Sequence, residues 1–220
     1  MTKKQRVYLF DTTLRDGQQT PGVDFSVEDK IVIARMLDAF GIDYVEGGYP
    51  GANPTDTAFF REKRTARAKF AAFGMTKRAG VSAANDPGLA AIFQSSADAV
   101  CLVAKTWDYH VKVALGCTNE ENLESIAESV KATLAHNKQP LIDCEHFFDG
   151  FKANPEYALA CARAAHDSGA RWIVLCDTNG GTLPSEVGRV VAEVIASGIP
   201  GDRLGIHCHD DTGNAVANSL

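Results

Sequence analysis

The stretch Leu204-Gly205-Ile206-His207-Cys208-His209-Asp210-Asp211 decides between the folds that the sequence allows. It begins as a short apolar run, which is typical of a buried strand, and becomes polar where that strand ends. Because side chains alternate across a strand, the imidazoles of His207 and His209 are predicted on one face and Cys208 on the other. The sequence therefore predicts a strand that ends in a pair of imidazoles.

Six other short apolar runs precede this strand, and segments of helical periodicity separate them. The seven predicted strands are Val7–Phe10, Tyr44–Glu46, Lys69–Phe73, Ala99–Val103, Leu141–Cys144, Trp172–Cys176 and Leu204–His207. The predicted helices cover residues 27–40, 119–136, 155–169 and 184–196, and the chain ends inside a further one. This alternation indicates an α/β fold, with a parallel sheet covered by helices.

Two α/β folds share this alternation: the doubly wound sheet and the (β/α)8 TIM barrel. A barrel gathers its site from many strand ends, whereas a doubly wound sheet concentrates it at one switch point. Polar residues follow five of the predicted strands: Asp11, Arg15, Asp16, Glu46, Glu145, Asp177, His207 and His209. No Gly-x-Gly-x-x-Gly motif follows the first strand. The sequence therefore predicts a TIM barrel, with about seven of its eight strands in this chain.

Composition is ordinary for a globular domain: of 220 residues, 45% are hydrophobic and 23% are charged, which excludes a disordered or fibrous chain.

A closed barrel needs an eighth strand to pair the edges of the first and the seventh. We therefore expect residues 1–220 to form an N-terminal catalytic TIM-barrel domain, truncated before the last strand and the C-terminal domains.

Charge and cysteine usage limit the partners and the location. The net charge of −6 argues against nucleic acid and membrane surfaces, whose binding sites are basic. No apolar run has the length of a signal peptide core or a membrane span. The six cysteines form no Cys-x-x-Cys pair, which indicates reduced, buried thiols in a cytoplasmic protein.

Two clusters carry candidate chemistry. Paired imidazoles at the spacing of His207 and His209 suit a divalent transition metal, although two histidines hydrogen-bonded at a strand end would look the same. The other cluster is Asp11–Gln19, after the first strand. In a barrel only the eighth strand separates the first from the seventh, so we expect Asp16 to approach the imidazoles. Arg15 supplies a cation where negative charge develops on a carbonyl oxygen.

With Arg15-Asp16, Glu46 and His207-x-His209 in this order on strand ends, the chain resembles the metal-dependent TIM-barrel Claisen synthases and lyases. This family carries an Asp-Arg-Glu triplet and includes the 2-isopropylmalate, homocitrate and citramalate synthases and hydroxymethylglutaryl-CoA lyase. The resemblance covers essentially the whole chain and is closest to the citramalate synthase branch. The matching stretches are Asp11–Gln19, Asp43–Pro50, Asn53-Pro54, Ala72–Gly74, Lys105–Val111, Glu145–Gly150, Cys176–Pro184 and Gly213–Asn218.

The resemblance implies a metal site and a catalytic arginine. It implies that Asp16, His207 and His209 bind a divalent metal ion, for which Mn²⁺, Mg²⁺, Zn²⁺ and Co²⁺ all fit. Arg15 would then polarise the keto oxygen of a bound 2-oxo acid, and Glu46 would pair with Arg15 and orient it. In the family a further metal ligand, an asparagine, comes from the last barrel strand, which we expect outside this chain.

The resemblance also implies the substrate contacts and the reaction. Thr178 reaches the carboxylate of the oxo acid, His110 lies near the substrate, and Glu145 or Asp149 helps to remove a proton from the acetyl methyl group. Lys105 either reaches the site or forms a salt bridge at a strand end. The implied enzyme is an acyltransferase, homodimeric at full length, that condenses acetyl-CoA with a small 2-oxo acid. Pyruvate would give citramalate, by metal-assisted Claisen condensation and thioester hydrolysis.

Three alternatives stay open at this point. The first is a 2-isopropylmalate or homocitrate synthase, which shares the motifs and differs in the 2-oxo acid. The resemblance to the citramalate and 2-isopropylmalate synthases implies a place in isoleucine or leucine biosynthesis. The second is a lyase of the hydroxymethylglutaryl-CoA type, although the Glu-Gly-Gly-Tyr-Pro and Asp-Thr-Asn-Gly-Gly-Thr stretches point away from it. The third is an inactive, truncated barrel that keeps only the metal ligands.

Overall fold

The structure is a computed structural model, and it describes residues 6–220. Its strands are β1 Phe10–Asp11, β2 Tyr44–Gly48, β3 Lys69–Met75, β4 Ala99–Lys105, β5 Gln139–Glu145, β6 Trp172–Asp177 and β7 Leu204–Cys208. In the described part of the chain these seven strands follow sequence order in one parallel sheet. Parallel pairing in chain order, with helices between the strands, is the pattern of a (β/α)8 barrel, as the sequence predicts.

Helices alternate with the strands along the chain. They are α1 Val27–Phe40, α2 Pro54–Phe59, α3 Pro87–Gln94, α4 Asp108–His110, α5 Asn119–Ala135, α6 Phe147–Ala153, α7 Pro155–Asp167, α8 Pro184–Ala196 and α9 Ala215–Ser219. Short 3₁₀ turns lie at Gly17–Gln19, Ala83–Asn85 and Gly201–Arg203, and a π-helical turn at Val111–Leu115 follows α4. The four longer predicted helices are confirmed as α1, α5, α7 and α8.

The ends of α1 show how local sequence sets an element. The Ser26 hydroxyl accepts a hydrogen bond from the Asp29 amide over 3.1 Å, and the Asp29 carboxylate accepts one from the Ser26 amide over 3.0 Å. This reciprocal cap satisfies amides that a helix start leaves without intrahelical partners. At the other end Gly41 adopts φ = +98°, a left-handed conformation that glycine takes without steric cost.

The first strand differs from its prediction. The apolar run predicts Val7–Phe10, whereas the structure has Phe10–Asp11, the residues that pair with β2. Val7 is 77% exposed and Leu9 is 53% exposed. An apolar run indicates burial, but a strand is defined by its backbone pairing, and the parallel ladder with β2 begins only at Phe10. The Leu9 carbonyl oxygen accepts the amides of Asp43 and Tyr44 over 3.1 and 3.0 Å just before that ladder.

The later strands extend further than predicted, by one or two residues at their C-terminal ends. Six of the nine added residues are glycine or polar, namely Gly47, Gly48, Gly74, Lys105, Glu145 and Asp177. Apolar periodicity cannot detect them, although their backbones continue the sheet. Four helices were also missed, α2, α3, α4 and α6, because segments of three to eight residues are too short for the periodicity to register.

The chain divides into two compact units, and each is described by itself. In the described residues the first unit comprises 6–74 and 90–100, and it contains β1 and β2 with most of β3. Its core includes Phe60 stacked on Phe70, with ring centroids 4.4 Å apart. A Cβ on Gly47 would lie 2.7 Å from the rings of Phe59 and Phe70, so only glycine permits this packing against β2.

The second unit comprises residues 75–89 and 101–220, and in it β5, β6 and β7 pair in parallel. Helix α7 packs against α5 and α6, and Phe147 and Phe148 at the start of α6 are fully buried. A Cβ on Gly150 would lie 2.6 Å from the Thr106 carbonyl oxygen and 2.9 Å from the Trp107 Cα. Glycine at this position therefore lets α6 lie directly on the segment that follows β4.

Two sequence expectations concern thiols and membranes. All six cysteines are unpaired thiols, as predicted, and four of them are buried. Cys117 and Cys208 are partly exposed, so the prediction of burial was wrong for these two; both lie at or beyond the end of a regular element. Among residues 6–220, no helix is long and apolar enough to cross a bilayer.

Candidate active site

In the first unit a tight loop after β1 carries Arg15 and Asp16. The carbonyl oxygen of Thr12 accepts hydrogen bonds from the amides of Arg15, Asp16 and Gly17, over 3.1, 2.8 and 3.1 Å. Three donors on one acceptor turn the chain sharply as it leaves the strand. Asp16 then begins the 3₁₀ turn Gly17–Gln19 without capping it through its side chain.

The Arg15 guanidinium is held on three sides. Its Nε donates to Oε2 of Glu46 over 2.7 Å, and its Nη1 lies 3.3 Å from Oδ1 of Asp16. The ring of Phe73 lies beneath it, with 4.0 Å between the guanidinium carbon and the ring centroid. Charge-assisted hydrogen bonds and cation–π contacts strengthen where water is excluded, and the Glu46 side chain is 0% exposed. The ion pair implied by the resemblance is present.

A second group of predicted site residues lies in the second unit, at the end of β5. Glu145 is the last residue of this strand, and its carboxylate forms an ion pair with Lys105 at the end of β4. The Thr106 hydroxyl donates to the Glu145 carbonyl oxygen over 2.8 Å. Of the two interpretations of Lys105, the structure thus shows the salt bridge at a strand end, and that salt bridge is made with a predicted catalytic acid.

His146 connects Glu145 to Asp149 and Thr178. Its amide donates to the Thr178 hydroxyl oxygen over 2.8 Å, and its Nδ1 lies 3.1 Å from Oδ2 of Asp149. The same Asp149 oxygen accepts a hydrogen bond from the Asn179 side-chain amide over 2.8 Å. Glu145, Asp149 and Thr178 are therefore brought together around a residue that the sequence analysis did not assign a role.

The backbone of His146 is strained, with φ = +51° and ψ = +37°. Residues other than glycine rarely adopt this left-handed conformation, and strain of this kind clusters at functional sites. The signal available in the sequence was the position of His146 inside the Glu-His-Phe-Phe-Asp stretch. Nothing in that stretch indicates a positive φ, so only the structure identifies this residue.

His110 packs edge-on against His146, with ring centroids 4.6 Å apart, and its other face lies near Trp107 at 4.7 Å. Burial lowers the pKa of His110 below its ordinary value of 6.5, and the adjacent His146 and Lys105 lower it further. At neutral pH the imidazole is therefore uncharged. A neutral imidazole can donate one hydrogen bond and accept another beside the Thr178 and Glu145 group.

The two imidazoles that the sequence pairs lie side by side at the end of β7. The ring centroids of His207 and His209 are 5.1 Å apart, with an angle of 67° between the rings. The amide of His209 donates to the Asp177 carbonyl oxygen over 3.2 Å, which fixes the chain as it leaves the strand. Alternation along the strand thus places both rings on one side, as predicted.

A rival ligand set shares one of these imidazoles. Donor atoms of Asp143, Cys176 and His207 lie within 4.8 Å of one another on three neighbouring strands. However, burial raises the pKa of the Cys176 thiol well above its ordinary value of 9.0, and the nearby Asp143 raises it further. A thiol must lose its proton to bind a metal, so a metal bound by this set would have to supply the free energy of that deprotonation.

The fold and these strand-end clusters define an α/β barrel of a recognisable type. The HMGL-like family matches residues 6–220, and the chain belongs to that family. The (R)-citramalate synthase of Streptomyces coelicolor is 51% identical over 217 residues, which make up 97% of this chain and 40% of that protein. The 2-isopropylmalate synthase of Lactococcus lactis is 32% identical over 98% of this chain and 42% of its own length.

A solved structure supports the fold independently. The hydroxymethylglutaryl-CoA lyase of Bacillus subtilis superposes with a TM-score of 0.80, covering 97% of this chain and 72% of that one. Its sequence identity is 20%, so this likeness concerns the fold alone. The prediction of a (β/α)8 barrel is thereby confirmed. The chain spans about 40% of the length of the S. coelicolor synthase that it matches.

Proposed function

We propose that the protein is an acyltransferase that condenses acetyl-CoA with pyruvate to give the CoA thioester of citramalate, and that water then hydrolyses this thioester to citramalate and free CoA. The observation that carries this proposal is the 51% identity to an (R)-citramalate synthase over 97% of the chain. The arrangement of charged groups in each of the two units supports it. The proposal concerns the whole protein, since these residues span about 40% of that synthase.

Arg15 has the geometry to stabilise the charge that the reaction creates. When the acetyl carbon attacks the keto carbon of pyruvate, electrons move onto the keto oxygen, which becomes an alkoxide. A cation that is already oriented stabilises this charge without reorganising during the reaction. The hydrogen bond from Arg15 to Glu46 and the Phe73 ring supply that fixed orientation.

The side chains of Asp16, His207 and His209 would hold a divalent cation. Their donor set fits one, because two imidazoles and a carboxylate are ligands shared by Mn²⁺, Zn²⁺ and Co²⁺ sites, and Mg²⁺ accepts the carboxylate. When bound, such an ion would withdraw electron density from the oxygens of the 2-oxo acid. Within the second unit, the short distance of 5.1 Å between the two imidazole centroids at the end of β7 supports this assignment.

Thr178 is prepared to bind the substrate carboxylate. Its hydroxyl oxygen accepts the His146 amide, so the hydroxyl hydrogen is directed elsewhere and can be donated to an anionic oxygen. His110, neutral at physiological pH, lies next to this group and would contact the same substrate. These roles of Thr178 and His110 are the ones that the family resemblance implies.

Glu145 and Asp149 are the two acids placed to remove a proton from the acetyl methyl group. A positioned base typically contributes about 10²–10⁴-fold to the rate of such a step. Glu145 is held by Lys105, whereas Oδ2 of Asp149 already accepts from Asn179 and contacts His146. We assign the base to Glu145, and we assign Asp149 to orienting the His146 segment.

The remaining features of the proposal concern the protein as a whole. We propose that residues 1–220 act as its catalytic barrel domain, that it works as a homodimer in the cytoplasm, and that it needs neither nucleic acid nor a membrane. The length of the S. coelicolor synthase beyond the matched region supports the first point. The acidic composition supports the last.

The test is CoA release by the longest natural polypeptide that contains these residues, with acetyl-CoA and one 2-oxo acid at a time. We expect pyruvate to give a kcat/KM well above those of 2-oxoisovalerate and 2-oxoglutarate. Preference for 2-oxoisovalerate would instead support the 2-isopropylmalate synthase alternative, which the 32% identity to the L. lactis enzyme favours. Cleavage of hydroxymethylglutaryl-CoA without any condensation would overturn the synthase proposal.

A further inference from the structure

Lys30 is a charged residue in an unexpected place. It lies in the first half of α1, and its side chain is 0% exposed. A buried ammonium is costly unless all of its hydrogens are bonded and a carboxylate balances its charge. Helical periodicity alone does not account for a lysine on the inner face of this helix. Its contacts explain why it is tolerated there.

The Lys30 ammonium has three acceptors, one for each hydrogen. Its Nζ donates to the carbonyl oxygen of Leu14 over 2.9 Å and to that of Gly47 over 3.0 Å. The third acceptor is Oδ1 of Asp56, the carboxylate that pairs with it. Leu14 immediately precedes Arg15, and Gly47 immediately follows Glu46. One side chain thus joins the two backbone segments that carry the arginine and its partner.

Asp56 extends this connection to the end of β2. Its Oδ2 accepts hydrogen bonds from the Tyr49 amide over 2.9 Å and from the Asn53 side chain over 3.0 Å. A Cβ on Gly48 would lie 2.4 Å from the Asp56 carboxyl carbon, and Gly48 has φ = +141°. Gly48 therefore allows this carboxylate to approach the strand closely. Asp56 is itself buried.

We propose that Lys30 and Asp56 are positioning residues for the proposed condensation. They fix the Arg15 loop relative to the Glu46 strand, so that the guanidinium points in the direction that the substrate requires. This inference rests on the proposed function, because it holds that the orientation of Arg15 matters for the condensation. Neither side chain contacts the substrate in this scheme; both act through the backbone of Leu14 and Gly47.

A double-mutant cycle separates positioning from general stabilisation. In the full natural polypeptide, Lys30→Met removes the ammonium while keeping a similar volume, and we expect kcat/KM for pyruvate to fall about 100-fold. In an Arg15→Lys background the guanidinium is already lost, so Lys30→Met should lower kcat/KM by less than about 3-fold. Equal losses in the two backgrounds would overturn the proposal, because a purely structural role acts independently of Arg15.

Lys77→Met is the matched control. Lys77 is also buried, and it donates to the Val81 carbonyl oxygen and pairs with Glu128, both over 3.1 Å. The chemical change is the same, but none of these three residues flanks Arg15 or Glu46 in the sequence. We expect Lys77→Met to leave kcat/KM within about 3-fold of the parent. A loss as large as that of Lys30→Met would overturn the proposal.

A second readout does not depend on activity. Hydrogen–deuterium exchange followed by mass spectrometry reports on the loop amides of Arg15, Asp16 and Gly17, which bond to Thr12. We expect faster exchange in peptides covering 11–20 for Lys30→Met and unchanged exchange for Lys77→Met. Unchanged exchange in Lys30→Met would overturn the positioning role, whatever the activity. If Lys30→Met does not fold, Asp56→Asn replaces it under the same criteria.

The two proposals fail in distinguishable ways. If the parent releases no CoA with any 2-oxo acid, the proposed function fails, and the exchange measurement still decides whether Lys30 holds the Arg15 loop. If the parent condenses pyruvate but Lys30→Met shows equal losses in both backgrounds, the positioning role fails alone.

Discussion

The Nε of Arg15 donates a hydrogen bond to Oε2 of Glu46 over 2.7 Å, although the two residues are 31 positions apart in the sequence. The carboxylate is completely buried, and the guanidinium lies over the Phe73 ring. Burying such an ion pair costs desolvation free energy, and what it contributes is a fixed orientation of the Arg15 guanidinium. The orientation of this guanidinium links the local structure of the β1 loop to the proposed stabilisation of the alkoxide.

Replacing Glu46 tests the importance of this direction. Glu46→Gln preserves the shape of the side chain but removes the negative charge that holds the arginine, so we expect kcat for CoA release to fall about 100-fold. The measurement is steady-state CoA release with acetyl-CoA and pyruvate. Glu128→Gln is the control, since Glu128 pairs with Lys77 and is half-exposed. Retention of full activity by Glu46→Gln would show that Arg15 needs no orienting partner.

Replacing the two acids near His146 locates the general base. We expect Glu145→Gln to lower kcat by about 10²–10⁴-fold with a small change in KM, because removing a base affects the chemical step. Asp149→Asn should cost less than about 10-fold, since an amide can still accept from Asn179. Proton exchange from the acetyl methyl group into deuterated water measures the step directly. A larger loss for Asp149→Asn would reverse our assignment.

Metal removal tests the proposed ligand set. Dialysis against a chelator should reduce CoA release to background, and added Mn²⁺ should restore it. Calorimetric titration should show that His209→Asn, with one imidazole fewer, binds Mn²⁺ much more weakly than the parent. His166→Asn is a control, because His166 contacts Asp167 on a helix rather than His207. Unchanged Mn²⁺ affinity in His209→Asn would exclude this imidazole as a ligand.

Asp38 is expected to make stability depend on pH. Its carboxylate accepts the amides of Ala66, Arg67 and Ala68 over 3.0, 2.9 and 2.6 Å. Burial by itself raises the pKa of Asp38, but the hydrogen bonds from these amides outweigh it and lower the pKa below the ordinary 3.8. A lowered pKa stabilises the fold above pH 3.8, and this contribution disappears as pH falls through the lower, folded-state value.

Asp38→Asn should therefore lower the free energy of unfolding by about 1–3 kcal/mol at pH 7, because the amide nitrogen cannot accept these hydrogen bonds. The difference from the parent should shrink as the pH is lowered below 3.8. Urea unfolding followed by tryptophan fluorescence at several pH values measures both effects. Asp167→Asn, on an exposed side chain, is the control. If the difference in free energy of unfolding between the parent and Asp38→Asn were the same at every pH, this explanation would be contradicted.

Strand–helix alternation and polar strand ends were sufficient to predict the barrel, because both depend on short-range patterns. The end of β2 shows the limit of such patterns. Its Glu46-Gly47-Gly48 segment contains a register shift against β3, and no periodicity signals a bulge. The predicted strand stopped at Glu46 because glycines are poor strand formers, whereas here they admit the Phe59 ring and the Asp56 carboxylate.

The residues of the candidate site also fall into those that the sequence could identify and those that only the structure could. Arg15, Glu46 and the His207 and His209 pair could be found from spacing and resemblance. His146 and Lys30 could not, since their importance comes from a left-handed backbone and from carbonyl oxygens far away in the sequence. A buried lysine can be recognised only when the groups that satisfy its three hydrogens are known.

The most direct test of the proposed condensation is mass spectrometry of the product formed from acetyl-CoA, labelled with ¹³C in both acetyl carbons, and unlabelled pyruvate. We expect a five-carbon hydroxy dicarboxylic acid that carries both labelled carbons, formed in equal amount with free CoA. Release of CoA with the label recovered only as acetate, at a rate independent of pyruvate, would contradict the account.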